Sequence, residues 1–303
     1  MITYYKSTLK QPRLKKLNKF QVGSWINVIN PPHKEINEIA STFGLDKRNL
    51  NSGMDQNELP RIDFVGDNTY IFVKIITPKE KMEFNTVLIV IADNFILTLS
   101  KEPADYMQDI FKKDSEFIST QRVKCAMKLL FIINQGFENN TTSIVKLVNS
   151  KKNYLRKLKS KDVNDVLEHE DNLNTLVTTY YYTNLLYDRM IKKIKIFEAD
   201  REIIEDLVIE THQGYNLCRS SLKTISHIRN SYNIMLSNRL NRVITILTIF
   251  TIFISVPAAI SGLYGMNLVL PLAKNSMAFY YVLMMVGIVW LIFAWFFKKE
   301  DVL

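Results

Sequence analysis

The pattern of apolar and polar positions divides the chain into three regimes. Over roughly the first hundred residues, short runs rich in β-branched and aromatic residues are separated by turn-forming clusters. Arg61–Val65 and Tyr70–Ile76 flank Gly66-Asp67-Asn68, and Thr86–Ala92 and Phe95–Leu99 flank Asp93-Asn94. Each arrangement predicts an antiparallel hairpin. Pro31–Thr42 and Asp46–Leu50 read as helical or irregular, so this region is expected to be α/β or α+β with a small sheet. From Pro103 to Pro257 there is no proline, and the pattern predicts helix throughout. Phe117–Phe137 reads as one amphipathic helix. Val163–Phe197 reads as a longer one, with Leu173, Leu176, Tyr180, Leu185 and Tyr187 among its apolar positions. From Asp200 the apolar positions are Ile203, Leu207, Val208, Leu217, Leu222, Ile225, Ile228 and Met235.

No stop signal separates that last helix from an uncharged run. Between Arg242 and Lys298 the charged residue is Lys274, which leaves Val243–Leu263 and Met277–Phe297 free of charge. Each run of about 20 residues can cross a hydrocarbon core of ~30 Å as a helix. The last cytosolic helix is therefore expected to continue into the bilayer, about 95 Å from Asp200 to Leu263 at 1.5 Å per residue. An apolar stripe of that length calls for antiparallel partners or sister subunits. The expected division is 1–162, an α/β domain; 163–242, stalk helices; 243–264, a first span; 265–276, an external loop; 277–297, a second span; and 298–303, a basic tail.

Within the first span, Asn241, Ile244, Thr248, Thr251, Ser255, Ala258 and Gly262 recur at spacings alternating between three and four. That period of 3.5 defines a seam of mostly small or polar residues. Ile246, Ile249, Phe250, Ile252, Phe253, Ile254 and Ile260 occupy the other faces. Small and hydroxylated positions serve helix packing or line water, and both hold if several copies surround an axis. Two spans per chain enclose no path, so transport would require an oligomer. Ile244 and Leu247 would then form an apolar constriction near the cytosolic end, with Asn241 beside it. Hydroxyls and amides suit a hydrated cation such as Mg²⁺, which dehydrates reluctantly. No carboxylate lies in either span, which argues against a proton relay or an inner-sphere cage there.

Charge orients this picture. The formal net charge is +9. Arg239, Arg242, Lys298 and Lys299 flank the spans on the side of the soluble domain. The positive-inside rule then places both termini in the cytosol and Asn267–Ser276 outside. Basic residues also favour an anionic inner leaflet. No recognition motif supports nucleic-acid binding. The basic N-terminus lacks an apolar signal core, and two isolated cysteines, Cys125 and Cys218, fit a reducing compartment.

The turn between the spans reads Tyr264-Gly265-Met266-Asn267. Gly265 suits a helix end, and Asn267 offers an uncharged amide acceptor. In this position, at the end of the first of two C-terminal spans and before a short loop and a basic tail, the motif resembles that of the CorA-type divalent-cation transporters. The resemblance is residue-specific from about Asn230 to Asn267. It implies a funnel-shaped homopentamer embedded in the bilayer, with cytosolic α/β domains, a helical stalk, first spans lining the pore and second spans ringing them. It also implies that Gly265, Met266 and Asn267 form an external selectivity site for hydrated Mg²⁺. Asn241 would match the family's asparagine near the cytosolic pore end, and Mg²⁺ between cytosolic domains would favour closure. Two departures stand out: Leu268–Ser276 lacks the acidic residues that relatives often carry, and Asn230 occupies a place where some have a carboxylate. Asp200, Glu205, Asp206 and Glu210 are the alternative acids for a regulatory ion.

Other chemistry is sparse. His33, His169, His212 and His227 form no metal-binding spacing, and His169-Glu170-Asp171 reads as a solvated face. There is no nucleotide-binding loop or nucleophile motif, so neither an enzyme nor a nucleotide-driven pump is expected. Tyr180-Tyr181-Tyr182 reads as packing between stalk helices, and Trp295 as an interfacial anchor at the end of the span that contains Trp290. The expected function is passive, potential-driven uptake of Mg²⁺, with Co²⁺ or Ni²⁺ as secondary cargo. The alternatives are a zinc-transporting relative and a non-conducting membrane-tethered sensor or scaffold.

Overall fold

The computed structural model describes residues 1–77, 82–103, 110, 117–153, 160–266 and 277–299. The chain divides into two compact units, Met1–Arg229 and Asn230–Leu303. In the first, the described residues form one seven-stranded sheet with the order β2-β1-β3-β7-β6-β5-β4. Its strands are β1 (Ile2–Thr8), β2 (Gln11–Leu17), β3 (Ser24–Ile29), β4 (Arg61–Val65), β5 (Asn68–Thr77), β6 (Glu83–Ile91) and β7 (Phe95–Ser100). β3 and β7 run parallel, and the other neighbours are antiparallel.

Both hairpins form. Val65 pairs with Asn68 across Gly66-Asp67, and Gly66 takes φ 59°, the left-handed value this tight turn requires. The sheet is larger than the small one expected from the sequence, because β1, β2 and β3 extend it. β2 is an edge strand, so it needs no buried face. It carries Pro12, Arg13, Lys15 and Lys16, and Lys15 lies opposite Lys6. Such residues discourage edge-to-edge pairing and also conceal the strand from a hydrophobicity reading.

Both faces of the central strands are covered. On one, Ile26, Tyr70, Phe72, Leu88 and Leu97 pack against Ile36, Ile39 and Leu50 from α1 (His33–Phe43) and α2 (Lys47–Ser52). The alternate set includes Trp25, Ile71, Ile89 and Ile96, all fully buried, on the side covered by α3 (Arg122–Asn153) and α4 (Ser160–Lys193). Two covered faces explain why β5, β6 and β7 are continuously apolar rather than alternating.

The helices differ from their sequence boundaries. α3 continues well past Phe137. α4 ends at Lys193, leaving Phe197 outside it and 80% exposed. Leu173, Leu176, Tyr180 and Tyr187 are buried, whereas Leu185 is exposed. α5 runs from Glu198 to Tyr264, a single helix of 67 residues. Its buried stripe is Ile204, Leu207, Thr211, Gly214, Cys218, Ser221, Ile225 and Ile228, at spacings alternating between three and four. Leu217, expected on the apolar stripe, is instead exposed, and Ile203, Val208 and Leu222 are half-buried. Small and polar residues in the middle of the stripe leave room for the approach of side chains from α3 and α4.

That approach centres on Tyr180. Its hydroxyl lies 3.0 Å from that of Thr141, and its ring is 5.9 Å from Phe137. A Cβ placed on Gly214 would come within 2.4 Å of the ring. Beside it, Thr211 donates to Asn184 Oδ1 at 2.6 Å, and Asn134 Nδ2 donates to Glu210 Oε2 at 2.6 Å. Of the tyrosine triplet, Tyr180 packs between helices, while Tyr181 is exposed with its ring against Tyr182. Cys125 and Cys218 are free thiols in this interior. Burial raises Cys125 well above the usual thiol range and pushes Cys218 up to about 11.

Burial likewise raises the phenols of Tyr180 and Tyr187 far above 10.0. Their folded-state pKa values exceed the unfolded value. The stability they contribute is therefore complete below pH 10 and is lost as pH rises beyond it, by about 1.4 kcal/mol per pH unit for each proton. Urea unfolding between pH 9 and 11.5 is expected to show this decline. Tyr187→Phe is expected to flatten it by about one proton's worth. An unchanged slope would mean that Tyr187 ionises in the folded protein.

Candidate functional site

Among the described residues, α5 is long and apolar enough to cross a membrane. After a short link, α6 (Ala278–Lys299) is apolar from Phe279 to Trp295. These two helices make up the described part of the second unit, and each face of α5 there has its own character.

Thr245, Ile249, Ile252, Phe253, Val256 and Ile260 are half-buried. On α6 the corresponding positions are Val282, Val286, Val289, Phe293 and Phe297. The Phe253 and Trp290 rings meet at 5.7 Å. This is the face on which the two helices pack. Asn241, Ile244, Thr248, Thr251, Ser255, Ala258 and Gly262 are all exposed in the single chain. At 100° per residue their stripe lies about 120° around α5 from the packed face. Leu247, 66% exposed, sits at its margin. Phe250 and Ile254 point in a third, mainly apolar direction.

The hydroxyls on the uncovered stripe donate back into the helix. Thr248 Oγ1 donates to Ile244 O at 2.9 Å, Thr251 Oγ1 to Leu247 O at 2.9 Å, and Ser255 Oγ to Ile252 O at 3.2 Å. With each proton committed, the oxygen lone pairs remain available as acceptors. Water bound to a cation presents its hydrogens outward, so such oxygens can accept from the shell of a hydrated ion.

Pro257 lies inside α5. It has no N–H, so the carbonyl of Phe253, four residues earlier, loses its helical donor. The indole Nε1–H of Trp290 donates to that carbonyl at 3.2 Å. Sequence reasoning placed Trp290 in the second span without a partner. The signal that points to it is a proline in an apolar helix, which leaves a carbonyl needing a donor from elsewhere.

At the end of α5, Gly265 N–H bonds Ser261 O at 2.9 Å and Met266 N–H bonds Leu263 O at 3.4 Å. Gly265 does not adopt a left-handed backbone, contrary to the usual reason for glycine at a helix end. A Cβ there would lie 3.2 Å from Ser261 O, so the constraint is crowding against the last turn. Asn267 and the rest of the loop to Ser276 lie outside the described residues.

The acids considered for a regulatory ion are dispersed along α5. Asp200 pairs with Lys124 at 3.0 Å, Glu205 with Arg201 at 3.0 Å, and Glu210 accepts from Asn134. Glu170 is not on a free solvated face: it pairs with Arg229, tying α4 to α5. No group of three or more His, Cys, Asp or Glu side chains is arranged to hold a metal among the described residues.

Three comparisons place this arrangement. A curated relative, the cobalt/magnesium transport protein CorA of Methanocaldococcus jannaschii, is 25% identical over 291 residues, covering 91% of this chain and 90% of that protein. The complete structure of the CorA magnesium transporter from the same organism superposes with a TM-score of 0.82 at 20% identity, over 99% of this chain and 98% of that one. The ZntB cytoplasmic domain of Vibrio parahaemolyticus superposes with a TM-score of 0.65 at 8% identity, over 78% of this chain and 98% of that one. Residues 20–299 match the family described as CorA-like Mg2+ transporter protein, which spans both the layered sheet unit and the apolar helices, and the chain therefore belongs to that family.

Proposed function

We propose that this protein is a channel-like transporter that carries hydrated Mg²⁺, with Co²⁺ as secondary cargo, across the cell membrane. The observation that carries the reading is the uncovered stripe from Asn241 to Gly262. It is small or hydroxylated along most of its length, its hydroxyl oxygens are free to accept, and the packing of α6 leaves it open. In a bilayer such a stripe needs either water or another copy of itself. A homopentamer with the stripes facing one axis supplies both, with α5 lining the path and α6 outside it. Ile244 and Leu247 form the constriction beside Asn241, and Gly265, Met266 and Asn267 form the outer mouth. Both termini lie in the cytosol. Cytosolic Mg²⁺, bound between neighbouring subunits, favours closure.

Flux is passive in this scheme. Moving a divalent cation inward through 100 mV is favourable by roughly 4.6 kcal/mol, twice the single-charge value. The test is reconstitution of the full chain in liposomes that contain a Mg²⁺ indicator, under an inside-negative potential. Wild type is expected to take up Mg²⁺, and Asn267→Ala to lose most of that uptake at equal assembly. Equal uptake by both would remove Asn267 from the selective role. Uptake of Zn²⁺ in preference to Mg²⁺ would reassign the cargo. No uptake of any divalent cation by assembled protein would indicate a sensor or scaffold.

A further inference from the structure

We infer that Trp290 is a positioning residue for the outer half of the conduction path: its indole N–H takes the place of the backbone donor that Pro257 removes, and so fixes the direction of the α5 turns beyond the proline. The inference rests on the transport reading above.

The geometry has three parts. Pro257 can supply no N–H to the Phe253 carbonyl, and its ring crowds that carbonyl and tilts it away from the helix axis. The Trp290 indole donates to this carbonyl at 3.2 Å, and its ring packs on Phe253 at 5.7 Å. Downstream of the proline lie Ala258 and Gly262 of the uncovered stripe, followed by Gly265 and Met266. In a bilayer no water competes for the freed carbonyl, so its donor must come from a neighbouring helix. A tryptophan can satisfy it because the indole is a donor only and projects far enough from α6. The hydrogen bond therefore sets where the last turns of α5, and the mouth they carry, lie relative to α6.

The substitution that tests this is conservative in shape. Trp290→Phe keeps an aromatic ring but removes the donor. In full-length protein reconstituted in liposomes, it is expected to lower the initial Mg²⁺ uptake rate by about threefold, as befits one interhelical hydrogen bond in a membrane. Pro257→Ala restores an N–H four residues after Phe253, so the carbonyl recovers its helical donor. In the Pro257→Ala background, Trp290→Phe is therefore expected to cause no further loss, whereas a residue that matters only through its bulk would cause the same loss in both backgrounds.

A spectroscopic readout accompanies the flux. The chain has three tryptophans, so ¹⁵N-indole labelling gives three N–H signals, and the one missing from Trp290→Phe identifies Trp290. That signal is expected to be shifted downfield and protected from exchange in wild type, and to lose both properties in Pro257→Ala. An unprotected indole in wild type overturns the inference, without requiring any variant to be functional. So does a Trp290→Phe defect of equal size in both backgrounds, or no defect at all. If wild type itself passes no cation, the transport reading fails while the indole signal still judges the bond.

Discussion

Thr251→Trp is expected to cut Mg²⁺ uptake by roughly tenfold or more, while Phe250→Trp leaves it close to wild type. The two positions are adjacent in sequence and lie at nearly the same depth in α5. They differ by 100° in direction, which puts Thr251 on the uncovered hydroxyl-bearing stripe and Phe250 on the apolar face turned away from both that stripe and α6. A tryptophan on the stripe would fill the space that hydrated ions need and repeat that obstruction in every subunit. A tryptophan in place of Phe250 exchanges one lipid-compatible ring for another. Assembly checked by cross-linking and uptake measured in the same vesicles separate occlusion from misassembly. Equal uptake by the two variants would show that the stripe does not face the path.

Gly214→Ala is expected to destabilise the sheet-containing unit by about 2 kcal/mol, although alanine is the better helix former by about 1 kcal/mol. The added methyl would sit 2.4 Å from the Tyr180 ring, inside any permissible contact. The ring cannot simply swing away. It is buried, packed edge-on against Phe137, and its hydroxyl is held at 3.0 Å from Thr141. Either α5 moves away from α4 or the Tyr180–Thr141 contact breaks. The urea midpoint, followed by the fluorescence of buried Trp25, should fall with little change in slope. Tyr180→Leu should recover part of the loss in the double variant, because it removes the colliding atoms. A stability equal to wild type would mean that the three helices are less closely packed than described.

These two sites differ in how much of them a linear reading reaches. The stripe from Asn241 to Gly262 was legible because an apolar span makes each hydroxyl and glycine conspicuous, and its period alone assigns a face. The two hairpins were legible because turn residues separate strongly β-prone runs. Gly214 was not. A hydrophobicity scan along α5 selects Leu217, whereas the helices meet at Thr211, Gly214, Cys218 and Ser221, chosen for size rather than apolarity. β2 escaped for a related reason: an edge strand with four polar or basic positions carries no core-facing alternation. The Trp290–Phe253 bond joins residues 37 apart, and only the need of a proline-freed carbonyl hints at it. The Glu170–Arg229 pair spans 59 positions and has no local signal.

The two buried thiols have a practical consequence for mapping the water-contacting surface. At neutral pH, Cys125 and Cys218 are shielded and overwhelmingly protonated, so both should be silent toward maleimides and methanethiosulfonates. The natural chain therefore already provides a quiet background for site-directed labelling. Single cysteines introduced one at a time from Asn241 to Gly262 would react with a charged, membrane-impermeant reagent wherever an aqueous lumen reaches them, and a reactivity repeating every three to four residues would trace that lumen along the helix.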